Sequence, residues 1–77
     1  MAILIYFRKT SDNADEVEYA FGSAPDGLPR RLAIDEHRRT VRPVDGDEDT
    51  QYSHAASKIF GIERKTGAWP DRGMRAS

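Results

Sequence analysis

Three groups of residues have types and spacings that could do chemistry. Asp45, Asp47 and Asp49 alternate along one acidic stretch, the spacing with which a calcium loop presents carboxylates. That pattern also needs a glycine at its sixth position and a bidentate acid at its twelfth. Counted from Asp45 those places hold Thr50 and Ala56, so the loop pattern fails and no metal is expected. The acids suit a helix N-terminus instead, where the positive end of the dipole favours them.

His37 and His54 are the second group, and the chain has no cysteine to join them in a metal site. Ser53 and His54 are neighbours, which on a helix turns their side chains apart. The sequence carries no glycine-rich phosphate loop, nucleophile elbow or HExxH. No catalytic residue, cofactor or small-molecule substrate is expected, and the reading is not an enzyme.

The third group is Arg30, Arg31, Arg38, Arg39 and Arg42, all on one predicted hairpin and its approaches. Basic residues among tyrosines could hold phosphates while a sheet stacks bases. Asp35 and Glu36 interrupt the run, however, and strand alternation would scatter the arginines over both faces. Charge that protects a sheet edge from aggregation explains them as well.

These groups ride on elements the sequence announces. Ile3, Ile5 and Phe7, then Val17, Tyr19 and Phe21, repeat at period two, with turn residues Ser11, Asp12 and Asn13 between them. An even sum of paired residue numbers puts apolar opposite apolar. A sum of 24 also sets Arg8 against Glu16 and Tyr6 against Glu18, and is the expected register. Pro25-Asp26-Gly27 signals a turn. Leu32 and Ile34 resume the alternation, and Thr40 to Val44 reads as a weaker strand with Val41 inward. Pro43 confines that strand to an edge or ends it, because it cannot donate to a ladder.

From Thr50 the period changes to that of a helix. Tyr52, Ala55, Ala56, Ile59, Phe60 and Ile62 share one broad face, and Gly67 and Pro70 stop it. Gly61 weakens the helix and is read as a close approach to the sheet. Trp69 is read as a lid folding back on the core.

The expected fold is α+β: a small antiparallel sheet of three to four strands, in two hairpins, with one C-terminal helix packed on one face. Residues 1–77 form one domain, with 72–77 prone to fray as a tail. A chain this short hides only roughly 60% of its unfolded surface, which leaves little room for a deep pocket beside a complete core.

One helix covers one face, so the other stays open. It carries Leu4, Tyr6, Arg8, Glu18 and Arg31, a mixture suited to a modest protein interface. The leading expectation is therefore a binding or regulatory module acting through that face or an exposed edge strand, with a protein partner or a second copy. The alternative is nucleic-acid binding through Arg30, Arg31, Arg38, Arg39 and Arg42. Formal net charge is −1, which supplies no field toward nucleic acid or anionic lipid. The absence of cysteine and of a long apolar segment points to the cytoplasm. Nine Arg against three Lys hints at a bacterial, GC-rich genome.

Overall fold

The computed structural model describes residues 4–24 and 26–76, with Ala76 by its backbone alone. Ile3, Pro25 and Ser77, which enter the sequence expectations, lie outside the described residues. The first hairpin joins β1 (Leu4–Asp12) to β2 (Glu16–Gly22). Its turn is closed by Asn13, whose Oδ1 accepts from the N–H of Asp15 at 3.0 Å and of Glu16 at 2.8 Å. This is the local bond that makes asparagine a turn residue.

The register corrects the expected one. Phe7 pairs with Phe21, Arg8 with Ala20 and Tyr6 with Gly22, so paired numbers sum to 28 rather than 24. Even parity survives from Tyr6 to Lys9, and the apolar face survives with it. Beyond Lys9 an extra residue shifts the pairing to Ser11 with Glu18 and Asp12 with Val17. Thr10 fills this bulge and donates its hydroxyl to the Glu18 carbonyl at 3.2 Å. The cause is the turn, whose tip is Ala14 and Asp15 rather than Asp12, closed by the Asn13 N–H donating to the Glu16 carbonyl at 3.0 Å. Arg8 therefore does not oppose Glu16, nor Tyr6 Glu18.

β3 (Arg30–Asp35) and β4 (Thr40–Pro43) form the second hairpin. Asp35 Oδ1 accepts from the N–H groups of His37 and Arg38 at 3.0 Å each, and these bonds hold the Asp35 carboxyl below its ordinary range. Arg39 leaves the turn at φ 56, an uncommon conformation for a residue with a side chain. As expected, β4 is an edge strand that ends at Pro43.

Helix α1 (Thr50–Thr66) starts where Asp49 accepts from the Tyr52 N–H at 2.9 Å. It ends where Gly67, at φ 80, donates to the Glu63 carbonyl at 2.7 Å. The helix then returns the chain to the far side of the sheet. There Arg72–Ala76 forms β5, antiparallel to β1, with Phe7 opposite Gly73 and Arg8 opposite Arg72. The sheet has five strands in the order β4-β3-β2-β1-β5, all neighbours antiparallel. The expected three to four strands become five because the segment read as a fraying tail pairs with β1.

The core lies between α1 and one sheet face: Ile5, Phe7, Val17, Tyr19, Phe21, Leu32 and Ile34 against Tyr52, Ala55 and Ile59. Phe7 and Tyr19 meet edge to face at 5.8 Å. The Tyr19 hydroxyl donates to the Pro70 carbonyl at 2.6 Å, fastening the chain just before β5, and burial pushes the phenol above its ordinary pKa. Trp69 is half-buried against this core with its ring edge-on to Phe60 at 5.6 Å, the lid position expected of it. Gly61 is different: a Cβ there would meet nothing within 4 Å, so it does not mark a close approach. Gly73 does. A Cβ there would lie 2.7 Å from Phe7 Cζ, so the ring packs under β5 only because the side chain is missing.

Candidate binding face

The five arginines of the second hairpin separate. Arg30 pairs with Phe21 on the helix side, its guanidinium 4.8 Å from that ring centroid. It reaches Asp45 at 2.9 Å, Asp49 at 2.6 Å and the Asp47 carbonyl at 2.7 Å. These bonds tie the loop before α1 to the sheet, and Arg30 holds the carboxyls of Asp45 and Asp49 below their ordinary range. Asp45, Asp47 and Asp49 thus serve an arginine and a helix cap.

Arg39 also turns to the helix. It pairs with Glu63 and lies 5.8 Å from the Phe60 ring centroid and 5.7 Å from that of Trp69. Arg31 and Arg42 project from the opposite face and meet Glu18 and Glu16, each at 3.4 Å. Arg38 is exposed in the turn. The arginines expected to act together are brought to two faces and a loop, and most are engaged by acids. His37 is exposed with its Nε2 2.9 Å from Asp15 Oδ1, and half-buried His54 lies on α1.

The residues expected on the open face do share it. In-register rows cross the strands there: Gly22–Tyr6–Met74, then Arg31–Ala20–Arg8–Arg72, then Arg42–Ala33–Glu18. Ala20 and Ala33 are buried although no helix covers this side. The long side chains beside them lie over the sheet while their charged ends reach water. Glu18 and Arg31 bond to each other across the middle of the face, whereas Leu4, Tyr6 and Arg8 gather at the β5 end.

That end holds what sequence reasoning missed. Gly22 opposes Tyr6, and a Cβ on it would lie 2.6 Å from the Gly27 carbonyl oxygen and 2.9 Å from Pro29 Cδ. The loop between β2 and β3 therefore folds over the outer face and sets Leu28 near Tyr6. Leu28, Tyr6, Arg8, Arg72 and Met74 line a shallow cleft of about 290 Å³. Leu4 and Met74 are among the few large apolar side chains left exposed, at 44% and 43%. Arg8 and Arg72 stand directly opposite one another, and neither takes part in an ion pair among the described residues.

Like charges in that position cost stability. The only signal of β5 in the sequence is that Gly67 and Pro70 stop the helix and leave enough chain for another strand. Arg72-Gly73-Met74-Arg75 shows no apolar alternation. No protein-family model matches the chain, and no curated protein or solved structure matches it either.

Proposed function

We propose that this protein is a small, non-enzymatic protein-binding module that receives its partner at the β1–β5 end of its open sheet face. The observation that carries the reading is the cleft where exposed Met74 and half-buried Tyr6 and Leu28 adjoin two arginines without an acidic partner. A rigid ring with a polar tip, flanked by apolar surface and by arginine, is the composition of an interface anchor. Several of the acids that chemistry could draw on are engaged elsewhere: Asp45 and Asp49 with Arg30, Glu63 with Arg39, and Asp15 with His37.

No helix among the described residues is long and apolar enough to cross a membrane. The absence of cysteine supports a place in the cytoplasm. Nucleic-acid binding is the lesser reading. It would now rest on the row Arg72, Arg8 and Arg31 beside Tyr6, and Glu18 already occupies Arg31.

Tyr6→Ala tests the proposal. It should melt near the wild type, because Tyr6 lies outside the helix-covered core, and lose partner binding by more than about 1 kcal/mol. The measurement is affinity capture from the source cell quantified for wild type and variant, beside thermal melts and sedimentation velocity. Equal capture by a folded variant overturns the reading. A salt-sensitive gel shift that Tyr6→Ala abolishes would favour nucleic acid instead.

A further inference from the structure

We infer that the free edge of β5 takes an extended acidic segment of a protein partner as a sixth strand of the sheet. The inference rests on the reading of the β1–β5 end as a protein-binding site and names the partner's form and charge.

The backbone makes the first part of the case. The Lys9 N–H donates to the Asp71 carbonyl at 2.7 Å, immediately before β5 begins. In an antiparallel ladder bonded and non-bonded pairs alternate. Phe7 with Gly73 and Ile5 with Arg75 are then the bonded pairs, and Arg72, Met74 and Ala76 direct their N–H and C=O groups away from β1. This edge carries no proline, and no other strand among the described residues pairs with it. An unpaired row of this kind is a template for an added strand.

The flanks make the second. A strand laid along β5 sends alternate side chains to opposite faces of the sheet. On the outer face they would meet the cleft of Tyr6, Arg8, Arg72 and Met74. On the helix face they would meet a second hollow, about 270 Å³, lined by Lys58, Ile62, Lys65 and Arg75. Both flanks pair apolar surface with cations.

Charge decides the occupant. Arg8, Arg72, Arg75, Lys58 and Lys65 take part in no ion pair among the described residues, in a chain whose formal net charge is −1. Asp71, the acid next to β5, is 3.3 Å from Lys9. A second copy of β5 would bring the same cations against themselves. A nucleic acid would satisfy the charge and leave the outward row of backbone groups without partners. A strand with carboxylates on both faces and an apolar residue toward Met74 satisfies both requirements.

The experiment uses the whole chain and a labelled peptide of about nine residues repeating Glu-Glu-Val-Val, which puts carboxylates and apolar side chains on both strand faces, read by fluorescence polarisation. The peptide should bind, weaken with rising salt, and lose roughly tenfold affinity on Arg72→Glu or Lys58→Glu. A Lys–Val peptide should bind at least about tenfold more weakly. Two complementary peptides, N-methylated at alternate residues, should divide, one retaining affinity and the other losing it. Met74→Pro removes an outward donor that β1 does not use, so it should stay folded and lose the peptide.

Equal binding of the acidic and basic peptides overturns the inference, as does binding that survives both N-methylation patterns. Tighter binding of a single-stranded oligonucleotide would reassign the site to nucleic acid. A wild-type dimer dissociated by Met74→Pro would assign the edge to a second copy. Should Met74→Pro unfold, the N-methylated pair decides alone. If the acidic peptide fails while Tyr6→Ala still costs partner capture, strand addition falls and the face reading stands. If Tyr6→Ala also changes nothing, both fall.

Discussion

At one margin of the sheet, β4 spans four residues, ends in a buried proline and emerges from a turn held by Asp35 and a left-handed Arg39. Three of the arginines around it are tied down, Arg30 by Asp45 and Asp49, Arg39 by Glu63 and Arg42 by Glu16, while Arg38 stands exposed in the turn. At the other margin, β5 has five residues, no proline, and an arginine set against an arginine. Proline and charge are devices that blunt an edge against unwanted pairing. The β4 edge has its proline, whereas β5 has only the charge of Arg72 and Arg75, which repels another basic edge and not an acidic strand. The comparison shows what separates a structural arginine from an available one. Residue type is the same at each margin, and the side chain opposite makes the difference.

If β5 belongs to the fold and is not a loosely attached tail, crowding its one close approach should be the most damaging change. Gly73→Val would drive a side chain into the Phe7 ring, which is buried in the core. We expect a loss of about 2–3 kcal/mol in denaturant unfolding, as for overpacked sites generally. Amide exchange should quicken across β5 and β1 and change little in β4. An unchanged midpoint would mean that the edge gives way at no cost, and the contrast between a built edge and a tail would collapse.

The β4 side should be sensitive through Arg30. Arg30→Ala removes a cation stacked on Phe21 and the bonds that fix the loop before α1, for an expected loss of about 1–2 kcal/mol. The acid limb of the stability profile should change with it. Asp45 and Asp49 have carboxyls depressed in the folded protein, chiefly by Arg30. Such groups stabilise the fold above their unfolded pKa, near 4, and that stability is lost as pH falls through the lower folded value. The wild type should therefore weaken below about pH 4, and Arg30→Ala should flatten that limb. Urea melts from neutral pH to about pH 2 check both points. Parallel acid limbs in the two proteins would show that the latch contributes nothing.

The smallest effect has the opposite sign. Arg72→Glu replaces a like-charge cross-strand pair with an attractive one and should stabilise the fold by about 0.2–1 kcal/mol. A change that strengthens the fold while removing peptide binding would separate the two roles at this edge. If Arg72→Glu destabilised the protein, Arg72 would be serving the fold, and the contrast between the margins would weaken.

Much of the architecture is legible in local pattern. Period two in β1, β2 and β3 sorts Ile5, Phe7, Val17, Tyr19, Leu32 and Ile34 onto one face, where they are buried. Asp49 and Gly67 bound the helix, and Pro43 marks an edge, because capping and the missing N–H of proline act within a few residues. The open face follows from the same alternation, and with it Leu4, Tyr6, Arg8, Glu18 and Arg31. Which of these remain available does not follow. Glu18 and Arg31 neutralise each other only because β2 and β3 pair in one register.

Tertiary structure decided the rest, for a reason common to each case. Alternation fixes which face a residue takes, and it is blind to where a turn centres or which distant segment completes a sheet. A turn at Asn13–Asp15 and a bulge at Thr10 moved Arg8 from Glu16 to Ala20. The return of the chain after α1 put Arg72 beside Arg8, although neither segment carries a local sign of the other. Likewise the arginines of the second hairpin share a stretch of sequence and part company in space. Arg30 and Arg39 face the helix, where Asp45, Asp49 and Glu63 await them, whereas Arg31 and Arg42 face outward to Glu18 and Glu16. A charge's function depends on what stands across from it, and that is settled only when the strands have paired.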